Sequence, residues 1–276
     1  MIKLLGANLL RFRKSHLFWG TLALSFGFGV FMCVIRFRER LDYHFEVSLN
    51  SVFFGYAMVA GVILAAFIPL FFGTEYSDGA IRNKLIVGHS RAAVYFANLL
   101  TSLGAAVSFF AAYLLACTVV GVPLIGGLDL PVPATAAALG GSLLMAAAYC
   151  AVFTFATMNC SKKSVSAVAC LLGVFALLFA AVYLNGRLDA PEFIQGYEMN
   201  IGGQVVSAKP EPNPAYLTGM KREAYQFFYD LMPTGQGIQY SNVNFTNPVR
   251  LMGLAAALFA LFTGAGGLLF RRKDLK

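Results

Sequence analysis

The residues of this chain best able to do chemistry gather in one short stretch, "GTEYSDGAIRNKLIVGHSR", residues 73–91. Two acids, two arginines, a lysine and a histidine fall within it, between two strongly apolar runs. Asp78 and Arg82 are four residues apart, and Glu75 precedes Asp78 by three, a spacing that gives a helix one polar, partly paired stripe. Ile81 and Leu85 occupy a neighbouring face. Thr74 or Ser77 can cap such a helix and Gly88 can end it. The stretch therefore reads as a helix over 75–87, either a solvated connector or a docking surface for a partner.

Other chemistry is missing from the sequence. There is no HExxH pair, no carboxylate pair inside an apolar run, and no Walker A loop to cradle a nucleotide. Cys33, Cys117, Cys150, Cys160 and Cys170 sit in or beside apolar runs without a CxxC pair, so neither a disulfide framework nor a metal cluster is expected. His16, His44 and His89 are scattered. No enzyme activity, bound cofactor or metal is expected of this chain.

The composition explains what must position the charged stretch. Of 276 residues, 58% are hydrophobic and only 12% charged, with a mean hydropathy of +0.69. Soluble domains carry roughly a quarter charged residues. Six apolar runs, at 17–35, 52–73, 92–120, 134–158, 165–185 and 249–270, each reach the roughly 20 residues needed to cross a bilayer. Apart from His16 just before the first and Arg250 at the edge of the last, none carries Asp, Glu, Lys, Arg or His, although ion-coupled transporters and proton pumps usually need such a residue there. The fold class expected is an all-α polytopic membrane protein with six transmembrane helices.

Residues 1–16 are too charged to span. On a helical wheel Ile2, Leu5, Leu9 and Phe12 form one face and Lys3, Arg11 and Lys14 the opposite one, the pattern of an interfacial helix. Placing both termini in the cytoplasm puts thirteen of the twenty-one basic residues on that side: Lys3, Arg11, Arg13, Lys14, Arg82, Lys84, Arg91, Lys162, Lys163, Arg271, Arg272, Lys273 and Lys276. Basic residues at span ends, rather than in a stripe interleaved with aromatics, account for the net charge of +8 without nucleic acid. The lipid bilayer is the expected surrounding.

The one long polar loop, 186–248, falls outside the cell in this orientation. "YEMNIGGQVVSA" alternates around a Gly-Gly pair and reads as a β-hairpin. "LTGMKREAYQFFYDLMP" then places Met220, Ala224, Phe227, Phe228 and Leu231 at helical spacing, with Pro233 as the stop. Tyr225, Phe227, Phe228 and Tyr229 form an aromatic cluster suited to a cap over the span ends or, alternatively, to a gate that touches substrate.

The stretch "FFGTEYSDGAIRNKLIVGHSRAAVYFANLL" resembles the segment between the second and third spans of ABC-2 type transporter permeases, through Glu75, Gly79, Ser90 and Arg91. Ala80 stands where that family usually carries threonine. "YLTGMKREAYQFFYDLMPTGQGIQYS" is similar to the last outer loop of permeases from Gram-positive peptide-antibiotic export and immunity systems. The resemblance covers nearly the whole chain. It implies one transmembrane domain over 1–276, in which the cytoplasmic segment 74–91 is a coupling helix docked on a separate ABC ATPase. Glu75, Tyr76, Asp78, Gly79, Ile81, Arg82, Lys84 and Leu85 would be the contact residues. ATP and Mg would be used by that partner. The chain would pair with a second copy or a sister permease in a bacterial cell membrane and export a hydrophobic or amphipathic substrate. A non-transporting scaffold or signalling subunit is the alternative, and a channel or secondary transporter a more distant one.

The orientation has a direct test. In a cysteine-free background, single cysteines replacing Asp129 or Glu211 should react with an impermeant maleimide in intact cells, and one replacing Ser164 only after lysis. Labelling of Ser164→Cys in intact cells would reverse the orientation.

Overall fold

In hydrocarbon, every backbone N–H and C=O must find its partner within the protein, and a helix does so within one segment. The computed structural model follows that rule; it describes residues 2–43, 47–160, 162–194, 198–201, 204–207, 210–245 and 247–273. In chain order the helices begin with α1 (Ile2–Lys14), α2 (His16–Tyr43), α3 (Asn50–Phe53), α4 (Tyr56–Phe72), α5 (Thr74–Ser77) and α6 (Ala80–Ile86). Next, α7 (Arg91–Ala116) runs through a π-helical turn, Cys117–Gly121, into α8 (Val122–Ile125). α9 (Val132–Asn159) and α10 (Lys163–Leu188) follow. Four short strands come next, β1 (Phe193–Ile194), β2 (Glu198–Ile201), β3 (Gln204–Ser207) and β4 (Glu211–Pro212). α11 (Gly219–Leu231), α12 (Pro233–Ser241) and α13 (Pro248–Arg272) close the chain.

Among the described residues six helical stretches are long and apolar enough to cross a membrane, so the architecture is that of an all-α, multi-pass membrane protein. The helices outrun the apolar runs: α2 continues through Arg36, Arg38 and Arg40 to Tyr43. β1 pairs with β4 and β2 with β3, both antiparallel, with Ile201 opposite Gln204. The turn itself, Gly202 and Gly203, lies outside the described residues.

α4 forms the centre because its sequence, YAMVAGVILAAFIPLFF, is apolar on every side. It packs against α9, α10 and α12, while α13 lies along α9 and α2 along α7. Leu64, Phe67, Ile68 and Phe72 of α4 and Phe109 of α7 are fully enclosed. Phe67 meets Phe109 edge-on at 4.9 Å between ring centres, a geometry favoured by the ring quadrupoles.

α1 is turned differently from the expected wheel. Leu4, Asn8 and Phe12 face the bundle, whereas Ile2 and Leu9 are exposed. Arg11 is therefore not on an outward basic face; it points to a carboxylate within the bundle, described below. Phe12 stacks on Phe18 at 4.7 Å and leans on Phe71 at 4.9 Å.

Pro233 ends α11, as expected, but it also begins another helix, taking the first helical position where its missing N–H costs nothing. All nine residues of α12 are buried, against α4, α9 and α10. Two glycines make room for it. A Cβ on Gly237 would lie 2.6 Å from the carbonyl oxygen of Ala57, and one on Gly141 would lie 2.3 Å from the Tyr240 ring. Small residues at 138–148 thus allow α12 to approach α9 closely, beside the α13 and α4 contacts of the same helix.

This packing predicts a sharp contrast between neighbouring glycines. Tyr240 is fully buried and cannot swing aside, so Gly141→Ala should destabilise by about 1–3 kcal/mol, the usual cost of overpacking. Gly140→Ala should be close to neutral, because its Cβ would meet only Met252 Cε at an ordinary 3.7 Å. Equal melting temperatures for the two variants in detergent would contradict the placement of α12.

Candidate functional site

The charged stretch is not one helix. α4 ends one turn after Pro69, with Gly73 N–H donating to the Pro69 carbonyl at 2.8 Å. α5 lasts a single turn, and Gly79, at φ +66°, redirects the chain before α6. That left-handed conformation favours glycine, and it takes Glu75 and Asp78 off the helix that carries Arg82. Among the described residues Asp78 and Arg82 form no ion pair; Asp78 instead accepts from Ser77 Oγ at 3.2 Å. Neither Thr74 nor Ser77 caps α6, which starts at Gly79 without a side-chain cap. Gly88, at φ +94°, ends α6, where His89 N–H reaches the Lys84 carbonyl at 3.1 Å. Ser90 then caps α7, accepting from Ala93 N–H at 3.2 Å.

Glu75 is the centre of the arrangement, and it is enclosed, its side chain wholly inaccessible. Its Oε1 pairs with Arg11 Nη1 and, at 2.7 Å, with Lys84 Nζ; its Oε2 accepts from Asn98 Nδ2 at 3.1 Å. Asn8 Nδ2 donates to Asn98 Oδ1 at 2.9 Å and to Thr101 Oγ1 at 3.1 Å. Arg11 Nη2 also donates to the Phe71 carbonyl at 3.1 Å and to Thr74 Oγ1 at 3.0 Å. One carboxylate thus joins α1, α5, α6 and α7.

A second tie closes beside it. Tyr76 donates its hydroxyl to the Met158 carbonyl at the end of α9. Lys273 Nζ donates to the same carbonyl at 3.1 Å and to Tyr76 Oη at 3.2 Å, and lies 4.5 Å over the Tyr76 ring. Burial pulls the Lys273 ammonium below the usual lysine range. Arg91 donates to the Lys273 carbonyl and, at 3.2 Å, to that of Arg271. The last carbonyls of α13 are thus met by a cation, which suits the negative end of a helix.

The eight expected contact residues therefore divide. Glu75 and Ile81 are buried, Lys84 is committed to Glu75, and Tyr76 to Met158. Leu85 packs partly into the core, and Gly79 is half-buried. Asp78 and Arg82 are exposed. The motif match missed the most open part of the segment, its tip: Ile86 is 82% and Val87 76% exposed, next to exposed Asn83. Their hydrophobicity beside Gly88 was the signal.

At the opposite end, the aromatic cluster also divides. Tyr229 is buried with Ala181, Leu188, Leu217 and Ile238, and donates to Asn185 Oδ1 at 2.7 Å. Burial first, then the carboxylates of Asp189 and Asp230, push its phenol above the ordinary value. Tyr225 packs partly on that cluster, while Phe227 and Phe228 are half exposed and meet edge-on at 5.8 Å. Asp230 is buried and receives Gln226 Nε2 at 2.7 Å, Gln239 Nε2 at 3.1 Å and Arg250 Nε at 3.2 Å. It fastens α11 and α12 to the start of α13. Among the described residues no group of His, Cys, Asp and Glu could hold a metal, and the five cysteines are free.

Neither a protein-family model nor a curated protein matches the chain.

Breaking a buried ion pair from one side costs about 3–5 kcal/mol. Arg11 keeps 36% of its side chain exposed, so Glu75→Ala should fall at the lower end of that range. In the Glu75→Ala background Lys84→Met should cost markedly less than in the parent, because the interaction it removes is already gone. Unfolding curves in detergent measure the cycle, and additive effects would show that Glu75 does not bind Lys84.

Proposed function

We infer that this chain is the membrane subunit of an ATP-binding cassette transporter of the ABC-2 type, with the exposed surface of α6 as the seat of a separate ATPase. One observation carries the reading: the segment between the second and third membrane helices presents an open apolar and basic tip while its base is locked into the bundle by Glu75. A solvated connector has no use for such a mounting. The contact set is accordingly revised. Asp78, Arg82, Asn83, Ile86 and Val87 meet the partner, and Glu75, Tyr76, Ile81 and Lys84 hold the surface in place behind them.

In this reading ATP and Mg belong to the partner, and the chain binds neither. The end carrying both termini faces the cytoplasm of a bacterial cell, as its basic residues favour. A second copy or a sister permease completes the pathway, and the outer segment with α11 and α12 closes its far side. The substrate is a hydrophobic or amphipathic molecule moved outward. Support comes from the sequence resemblance and from the spans, which have no intramembrane ion-coupling residue between their ends and so leave transport dependent on an outside energy source.

The experiment is copurification with the ATPase encoded beside this chain. Removing one side of a desolvated charged contact costs about 2–5 kcal/mol, so Arg82→Glu should reach the membrane normally, lose most of the ATPase and lose transport. Ile86→Glu should do the same by placing a charge in an apolar contact. Parental copurification and transport in both variants would leave α6 as a connector and refute the reading.

A further inference from the structure

A cleft of about 640 Å³ opens between α1, the end of α4 and the start of α10, with Leu10, Arg11, Lys14, Leu70, Phe71 and Lys163 in its walls. Three of its lining residues are cations and none is an acid. Arg11 spends its charge inward on Glu75 and lies 4.6 Å over the Phe71 ring. Lys14 and Lys163 have no acidic partner among the described residues, so two ammonium groups face the cleft's charge balance unmatched. The stem of Lys163 packs closely on Gly73: a Cβ there would lie 2.9 Å from its Cγ and 3.1 Å from its Cα. Lys163 opens the 26-residue α10, whose N-terminal end adds positive potential to the same place.

The level of the cleft in the membrane follows from its neighbours. Trp19 is 53% exposed and donates Nε1–H to the Arg13 carbonyl at 3.1 Å, the half-wet setting that tryptophan takes at a membrane boundary. Leu9 and Leu10 of α1 are exposed, as in a helix lying in the headgroup layer. From there Leu17 and Leu70 carry an apolar wall along α2 and α4 toward the hydrocarbon.

We propose that this cleft binds an anionic phospholipid, its phosphate between Lys14 and Lys163 and the upper part of one acyl chain along Leu17 and Leu70. A free phosphate would share the cations but not the apolar wall. The site holds whether or not α6 receives an ATPase, and a lipid in it would bridge α1 and α10 across the cleft they both line.

The test uses the full chain, purified and delipidated in a neutral detergent, with binding read by lipid-dependent thermal stabilisation and by lipids retained in native mass spectrometry. Phosphatidylglycerol should raise the melting temperature and be retained, whereas phosphatidylcholine and inorganic phosphate should not. With each lysine contributing about 1 kcal/mol, Lys14→Gln with Lys163→Gln should weaken phosphatidylglycerol on the order of 30-fold. Arg82→Gln with Arg272→Gln removes the same charge from the same end and should bind like the parent. Equal stabilisation by inorganic phosphate would overturn the lipid assignment. Equal losses in the two double variants would reduce the effect to general surface charge and overturn the site. Unchanged binding in the cleft variant, folded as judged by its melting in phosphatidylcholine, would overturn it outright.

Discussion

A carboxylate taken out of water must be neutralised where it lies, since leaving it unpaired in a poorly polarisable surrounding costs several kcal/mol. Glu75 imposes that demand at one end of the bundle, and much of the local structure is the answer. Asn8 and Arg11 orient α1, Lys84 orients α6, and Asn98 and Thr101 turn the polar side of α7 toward the same point. None of these residues would be stable in its place alone. Each is a buried or half-buried polar group whose partner is another of them.

The opposite end repeats the logic with Asp230, which gathers two glutamines and Arg250. Between the two clusters the interior is aromatic and aliphatic, with Phe67, Phe109 and Tyr113 at full burial. The ion pairs therefore sit at the two ends, while the middle is close-packed with isolated hydroxyl bonds such as Ser102 to Thr154 and Thr234 to the Leu177 carbonyl. Through Lys84 and Glu75, α6 is tied to α1 and α7, and Arg11 carries the tie on to the end of α4.

The six crossing helices were legible from sequence because a run of about twenty apolar residues has few other stable fates. The short polar helices were not. The apolar and charged spacing over 75–87 matched a helix, yet Asp78-Gly79 is also a turn dipeptide, and at Gly79 the turn prevailed. The wheel of α1 follows hydrophobicity alone and so turns Arg11 outward; Arg11 answers to Glu75, and Asn8 to Asn98 and Thr101, all more than sixty positions away. Residues 233–241, "PTGQGIQYS", have the composition of a loop. Their helix depends on a cavity supplied by Gly141 and Ala57, which no local pattern announces. Likewise Phe227 and Phe228 have the spacing of a packed face, but Tyr229 takes the buried position.

The location of the Glu75 partners along the chain sets an order of synthesis. Arg11, Glu75 and Lys84, and the polar side chains Asn8, Thr74, Asn98 and Thr101 around them, all belong to the first 101 residues; only the Met158 sulfur, 3.4 Å from Asn98 Nδ2, joins them from later in the chain among the described residues. A nascent chain that has reached the middle of its third long helix already holds the complete charge network. α12 is at the other extreme. Thr234, Gln236 and Gln239 enter a space bounded by α4, α9 and α10, all of which precede them in the chain. Translation from the N-terminus therefore supplies the charged members of the Glu75 network first, and the buried wedge α12 with the Asp230–Arg250 pair last.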